Sequence, residues 1–118
     1  IAFKSWNDNG AIIIVESIDE AIKVSNRFAP EHLELMVGNA RSHLKKIKNA
    51  GAVFLGPNTP EAVGDYIAGP SHVLPTSKSA KYSSGLSVFD FLKRTSIVEW
   101  SQENLNQIGP AANEIAVN

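Results

Sequence analysis

Glu31 and His32 stand side by side directly after Pro30, where an apolar helical pattern gives way to an alternating one. A histidine is a natural general base near neutral pH, and a neighbouring carboxylate can orient its ring or activate water. Adjacent side chains on regular strand point to opposite faces, so the pair serves one site only if the junction backbone is irregular, which Pro30 makes reasonable. From spacing alone, a surface Glu-His pair at a turn is the simpler reading. A second grouping is Asp65 and His72, with Gly69-Pro70 between them. An unbroken helix would put both on one face; Gly69-Pro70 stops it, so they converge only if the loop folds back. Aspartate plus histidine suits zinc or a similar divalent ion but falls short of a structural tetrahedral site. From spacing alone, a solvated aspartate and a turn histidine are again the simpler reading. The third place is the loop from Pro75-Thr76-Ser77-Lys78 to Tyr82-Ser83-Ser84-Gly85. Its hydroxyls and glycine can hold a substrate or simply make turns.

The elements that must position these groups alternate along the first two thirds of the chain. Ala11–Val15 is a continuous β-branched run, expected as a strand covered on both faces. Ser17 and Glu20 form a capping box that opens a helix with Ile18, Ala21, Ile22, Ser25 and Phe28 on one side. Pro30 ends that helix. Leu33–Val37 alternates like a half-buried strand, and Asn39 is expected to cap a second helix carrying Ala40, Leu44 and Ile47 on its inner stripe. Ala52–Leu55 reads as another strand, and Thr59-Pro60-Glu61 as a helix start with proline at the first helical position. Strands separated by helices of this length predict parallel pairing with right-handed crossovers.

The fold class expected is therefore α/β: a partial, Rossmann-like, mostly parallel sheet with crossover helices over residues 1–86, which carries the site motifs. Residues 87–118 form an extension: a short helix at Val88–Arg94, a strand at Ser96–Trp100, and a helical stretch at Glu103–Val117 interrupted by Gly109-Pro110. Leu105, Ile108, Ala112 and Ile115 line one face of that stretch, which is expected to dock or dimerise.

Composition bounds the partners. The 118 residues carry 43% hydrophobic and 19% charged side chains, as in a globular domain with one modest core. A net charge of −1 gives no electrostatic reason to expect nucleic acid or an anionic membrane. Arg41, Lys45, Lys46 and Lys48 read as a solvated helix face, with no interleaved aromatics. The longest apolar run, Ala11–Val15, is too short to span a bilayer, and no leader precedes it. The absence of cysteine excludes disulfides and thiolate zinc sites and is compatible with the cytoplasm, the expected location. Neither a Gly-x-Gly-x-x-Gly nor a P-loop stretch occurs.

Several strings, in order, resemble the histidinol dehydrogenase family: Ala29-Pro-Glu-His-Leu-Glu-Leu35, Gly51-Ala-Val-Phe-Leu-Gly56, Thr59-Pro-Glu-Ala62 with Gly64-Asp-Tyr66, and His72-Val-Leu-Pro-Thr-Ser77. Ser83-Ser-Gly-Leu86 and Phe89-Asp-Phe-Leu-Lys-Arg94 continue the match. The resemblance implies NAD-dependent oxidation of L-histidinol to L-histidine, in two steps through a bound aldehyde, by a zinc-containing homodimer. It implies that His32 resembles the general base, Glu31 the group that activates water, Asp65 a zinc ligand lying against the substrate, and His72 a histidine lining the substrate site. Family members are several times longer. Their NAD-binding domain and two zinc ligands, a glutamine and a histidine, precede the matched region. A further glutamate and the last zinc-ligand histidine belong to a motif near the family's C-terminus that these residues do not contain. The expectation is thus a C-terminal segment that associates as a homodimer or with an upstream portion. Alone, it should bind neither zinc nor NAD tightly and should be inactive. Two alternatives differ in class: a non-catalytic α/β relic or self-associating module, and an unrelated metal-dependent hydrolase built on Glu31, His32, Asp65 and His72.

Overall fold

A computed structural model describes residues 1–117; Asn118, last residue of the expected extension, lies outside the described residues. The chain opens with a helix that the sequence reading did not anticipate, α1 (Ala2–Asn9), on which Lys4 pairs with Asp8 one turn on.

Helix α2 (Ile18–Phe28) forms where its signals predict. Ser17 Oγ accepts from the Glu20 N–H at 3.2 Å. The Glu20 carboxylate reaches past Ser17 to accept from the Glu16 N–H at 3.0 Å, so the capping box is displaced by one residue. At the other end Ala29 takes the left-handed conformation (φ 52°), and its N–H closes on the Ser25 carbonyl before Pro30 redirects the chain.

Strands β1 (His32–Leu35) and β2 (Ala52–Leu55) pair in parallel, with His32 opposite Ala52 and Leu35 opposite Leu55. The α/β class and parallel pairing therefore hold, in a sheet of two strands. Between them, residues Ala40–Lys46 wind as a 3₁₀ segment, not as the expected α-helix. Asn39 does not cap it through its side chain. It adopts a left-handed backbone (φ 54°), and its carbonyl accepts from both the N–H and Oγ of Ser42.

Helix α3 (Glu61–Tyr66) is one residue shorter at its start than predicted: Pro60 is the cap, and Thr59 Oγ1 donates to the Leu55 carbonyl at 2.8 Å. The short helix expected at Val88–Arg94 is a 3₁₀ turn over Val88–Phe91, closed by Ser87 and Asp90. Helix α4 (Gln102–Val117) runs through Pro110 without the expected interruption. Proline removes one backbone donor there, and the carbonyl it frees lies on an exposed helix open to water.

Two expected strands are absent. Ala11–Val15 and Ser96–Trp100 pair with nothing among the described residues, and Ile14 and Ile97 are 94% and 91% exposed. β-Branched sequence suits a sheet interior, but hydrogen bonds to a neighbour make the strand, and among the described residues neither run has a paired neighbour.

The buried apolar residues are few: Ile22, Ala29, Leu35, Ala40, Phe54 and Ala80. The single modest core expected from composition is reduced to a small cluster around the two strands and α2. The radius of gyration, 21.8 Å, exceeds the roughly 13 Å typical of a compact domain of this length. Among the described residues no helix is long and apolar enough to cross a membrane.

Candidate functional site

Three sets of contacts fix β1, β2 and α3 against one another. Gly51 and Ala52 donate to the carbonyls of Pro30 and Glu31 at 2.9 and 2.7 Å, fixing the backbone just before His32. A Cβ on Gly51 would sit 2.6 Å from the Glu31 carbonyl oxygen, so only glycine permits this approach. The second contact is Glu34 Oε1, which accepts from the Glu61 N–H at 2.8 Å and ties the first turn of α3 to β1. The third is Phe54 on β2. Its ring lies 5.9 Å, centroid to centroid, from the His32 imidazole. On its other side it meets Gly64, where a Cβ would come within 2.6 Å of ring carbons. α3 therefore packs its backbone directly on Phe54.

His32 and Glu34 share one face of β1, by the two-residue period of a strand. Facing them, Glu61 and Asp65 share one face of α3, four residues apart. The result is a cluster in which His32 Nε2 lies 3.6 Å from Glu61 Oε1 and 3.9 Å from Asp65 Oδ1. One nitrogen and two carboxylate oxygens lie within 4.8 Å of one another. All three side chains are about one-third exposed (32%, 40% and 33%), so the cluster forms an open wall.

Of the four residues singled out from sequence, His32 and Asp65 come together. Glu31 and His72 do not join them. Both are exposed, and neither side chain makes a hydrogen bond or ion pair among the described residues. Glu61 was missed as a site residue, being read as the start of a helix; its signal was the i, i+4 spacing to Asp65. Glu34 was read only as part of a strand alternation, and its role depends on a helix 27 residues away in sequence. In the hydroxyl-rich loop, Ser79 donates through both N–H and Oγ to the Thr76 carbonyl, so these groups make turns.

Beside the cluster lies an open cavity of about 900 Å³, lined by Ala52, Phe54, Val63, Leu74, Leu86 and Phe91 among others. His32, Asp65 and His72 do not line it, and Phe54 separates the polar wall from this apolar hollow.

The cluster offers donors of the kind a divalent ion such as zinc takes, with Asp65 as the ligand and His32 Nε2 left free to take a proton. It is incomplete for a tetrahedral site, whose remaining positions other groups would fill. NAD does not fit. No glycine-rich turn leads from strand into helix, and no phosphate cradle is built by the described residues.

An α/β segment presenting a histidine and paired carboxylates at a strand end is the arrangement that comparison with known proteins extends. The histidinol dehydrogenase family profile matches residues 1–118. The chain is 56% identical over 116 residues to histidinol dehydrogenase of Ruegeria pomeroyi, covering 98% of this chain and 27% of that protein. It is 54% identical over 116 residues to the enzyme of the same name from Gluconobacter oxydans, again with 27% of that protein covered. The crystal structure of histidinol dehydrogenase from Elizabethkingia anophelis superposes with a TM-score of 0.79 at 38% identity, over 88% of this chain and 24% of that one. The chain belongs to the histidinol dehydrogenase family, a name that denotes an oxidoreductase. It spans about a quarter of the length of the relatives it matches.

Proposed function

We propose that these residues form the base-and-metal wall of an enzyme that oxidises L-histidinol to L-histidine in histidine biosynthesis, with NAD as oxidant. The observation that carries this reading is the convergence of His32 Nε2 and Asp65 Oδ1 to 3.9 Å at the meeting of β1 and α3. Family membership supports this choice of reaction. In it, His32 takes the hydroxyl proton of the amino alcohol at Nε2, the nitrogen facing the carboxylates. Asp65 lies against the substrate and would hold zinc, which when bound supplies Lewis-acid positioning of the amino alcohol. Glu31 activates water for attack on the aldehyde in the second oxidation, and His72 lines the substrate site. Both must be brought to the substrate by surroundings beyond the cluster, since neither reaches His32 here. Residues 87–118 serve as a docking extension in a homodimer. A cytoplasmic setting accords with the cysteine-free sequence.

Histidinol-dependent NADH formation by the full-length polypeptide carrying these residues tests the reading. His32→Asn should lower kcat by about 10²–10⁴-fold, the usual worth of a general base. Asp65→Asn should lose bound zinc, read by metal analysis. Wild-type turnover in His32→Asn, or full zinc in Asp65→Asn, would refute these roles.

A second reading applies to residues 1–118 in isolation: a self-associating module rather than a catalyst. Exposed Ile12, Ile14, Ile97 and Val98 favour it.

A further inference from the structure

Resting on the reading of Asp65 as the metal ligand, we infer that Glu34 is the positioning residue of that ligand. Its carboxylate, bound to the Glu61 N–H, sets where α3 stands over the strands and so where Asp65 stands against His32.

Little within α3 holds it in place. It runs for six residues, and Pro60 at its start makes no side-chain cap. So short a helix is not stable alone, and its first N–H groups have no partner within it. Glu34 Oε1 supplies one from another element, accepting from the Glu61 N–H at 2.8 Å. Among the described residues that is the only polar contact of the Glu34 carboxylate, and no cation lies beside it. A carboxylate accepting from a backbone N–H makes a stronger and more closely defined bond than a neutral acceptor gives.

The bond fixes what packing does not. Glu34 lies opposite Phe54 across the parallel pair and His32 opposite Ala52, so these four side chains stand on one sheet face. α3 covers that face, with Gly64 against the Phe54 ring. Apolar contact is non-directional, so ring and helix backbone do not by themselves hold α3 against sliding or tilting. Thr59 Oγ1 ties the approach to α3 to the end of β2, at the Leu55 carbonyl. Glu34 ties the helix itself to β1, the strand that carries His32. Asp65 follows Glu61 by about one turn, so a shift of the first turn carries to its carboxylate. For a ligand and a base that meet at one substrate, a displacement of about 1 Å is costly.

The test uses the full-length polypeptide carrying these residues. It reads the zinc dissociation constant by chelator competition, together with hydrogen exchange over residues 60–66. Glu34→Ala should raise that constant by about 10–100-fold, the usual loss when a group that orients a ligand is removed, and should speed exchange in that peptide. Glu34→Gln keeps an oxygen for the Glu61 N–H without the charge and should recover most of both effects. Asn26→Ala is the control for stability: its side chain bonds to Lys46, Lys48 and Asn49, and the variant should lower the thermal midpoint with zinc affinity unchanged. If Glu34→Ala does not fold, Glu34→Asp, which withdraws the oxygen by one methylene, takes its place with the same expectation. Three results overturn the inference. One is a dissociation constant within about threefold of wild type in the alanine or aspartate variant. Another is a glutamine variant that binds zinc as weakly as the alanine one, which would assign the effect to charge. The third is an Asn26→Ala variant that loses affinity as far, which would assign it to general stability. Asp65→Asn run alongside separates the failures. If it loses zinc while Glu34→Ala does not, only Glu34's role falls; if it keeps zinc, the reading of Asp65 as ligand falls.

Discussion

Gly64 shows how one absent methyl group places two carboxylates. A Cβ there would lie 2.6 Å from Cε1 and Cζ of Phe54, closer than van der Waals contact allows, and Phe54 is among the few buried side chains. Gly64→Ala must therefore lift α3 or turn the ring, at a cost of about 1–3 kcal/mol, as for other overpacked sites. Because Glu61 and Asp65 ride on the same helix, the variant should lose activity in the complete enzyme along with stability. The comparison is Gly38→Ala. No atom lies within 4 Å of a Cβ there and the backbone is not left-handed, so it should be neutral or slightly stabilising. Denaturant midpoints of the two variants check the contrast; equal midpoints would mean that α3 yields without strain.

Asn26 joins elements that the primary sequence keeps far apart. Its Oδ1 accepts from the Lys48 and Asn49 N–H groups at 2.8 and 3.2 Å, and its Nδ2 donates to the Lys46 carbonyl at 2.8 Å. Asn49 Nδ2 returns a bond to the Asn26 carbonyl at 2.8 Å. Asn26→Ala strands these backbone groups and should cost about 1–3 kcal/mol, seen as a lower thermal or denaturant midpoint. Beside it, the Lys46 ammonium donates to Asp19 and holds that carboxyl below its ordinary 3.8, with the charges of Lys46, His43 and Lys23 adding. A lowered folded value gives stability that is present above pH 3.8 and fades as pH falls through the lowered value. The midpoint difference between wild type and Asp19→Asn should thus exist at neutral pH, vanish in strong acid and shrink with salt, because the pair is exposed. These ties explain what sequence could and could not reveal. α2 was legible because Ser17 and Pro30 act within a turn of themselves. β1 and β2 were legible from alternation and a short apolar run, and their parallel order from the intervening length. Asn26 and Glu34 were not, since each acts on backbone more than 20 residues away. Ala11–Val15 and Ser96–Trp100 misled because composition signals what suits a strand, whereas pairing decides it. Asp65 was singled out by its spacing to His72, not to His32, and its zinc role was implied only by resemblance; Glu61 could have been read beside it from the four-residue spacing, but not its approach to His32.

At the scale of the molecule, the apolar surface is larger than this chain covers. Ile12, Ile14, Ile97 and Val98 are exposed, and so are Leu105, Ile108 and Ile115, the face of α4 expected to dock. A two-stranded sheet is marginal by itself, and unpaired β-branched segments offer free backbone to any neighbour. A net charge of −1 supplies little repulsion to keep copies apart. Residues 1–118 produced alone should therefore associate, with a mass above the monomer by light scattering that rises with concentration, and should show no histidinol-dependent NADH formation. Charging the apolar runs tests the cause. Ile12→Lys with Ile14→Glu breaks the first run, and Ile97→Lys the second, and all three side chains are largely exposed. If burial of these runs drives association, the substituted chain should move toward the monomer. A chain that is monomeric from the outset, or that associates just as strongly after the substitutions, would show that these runs are not what brings copies together.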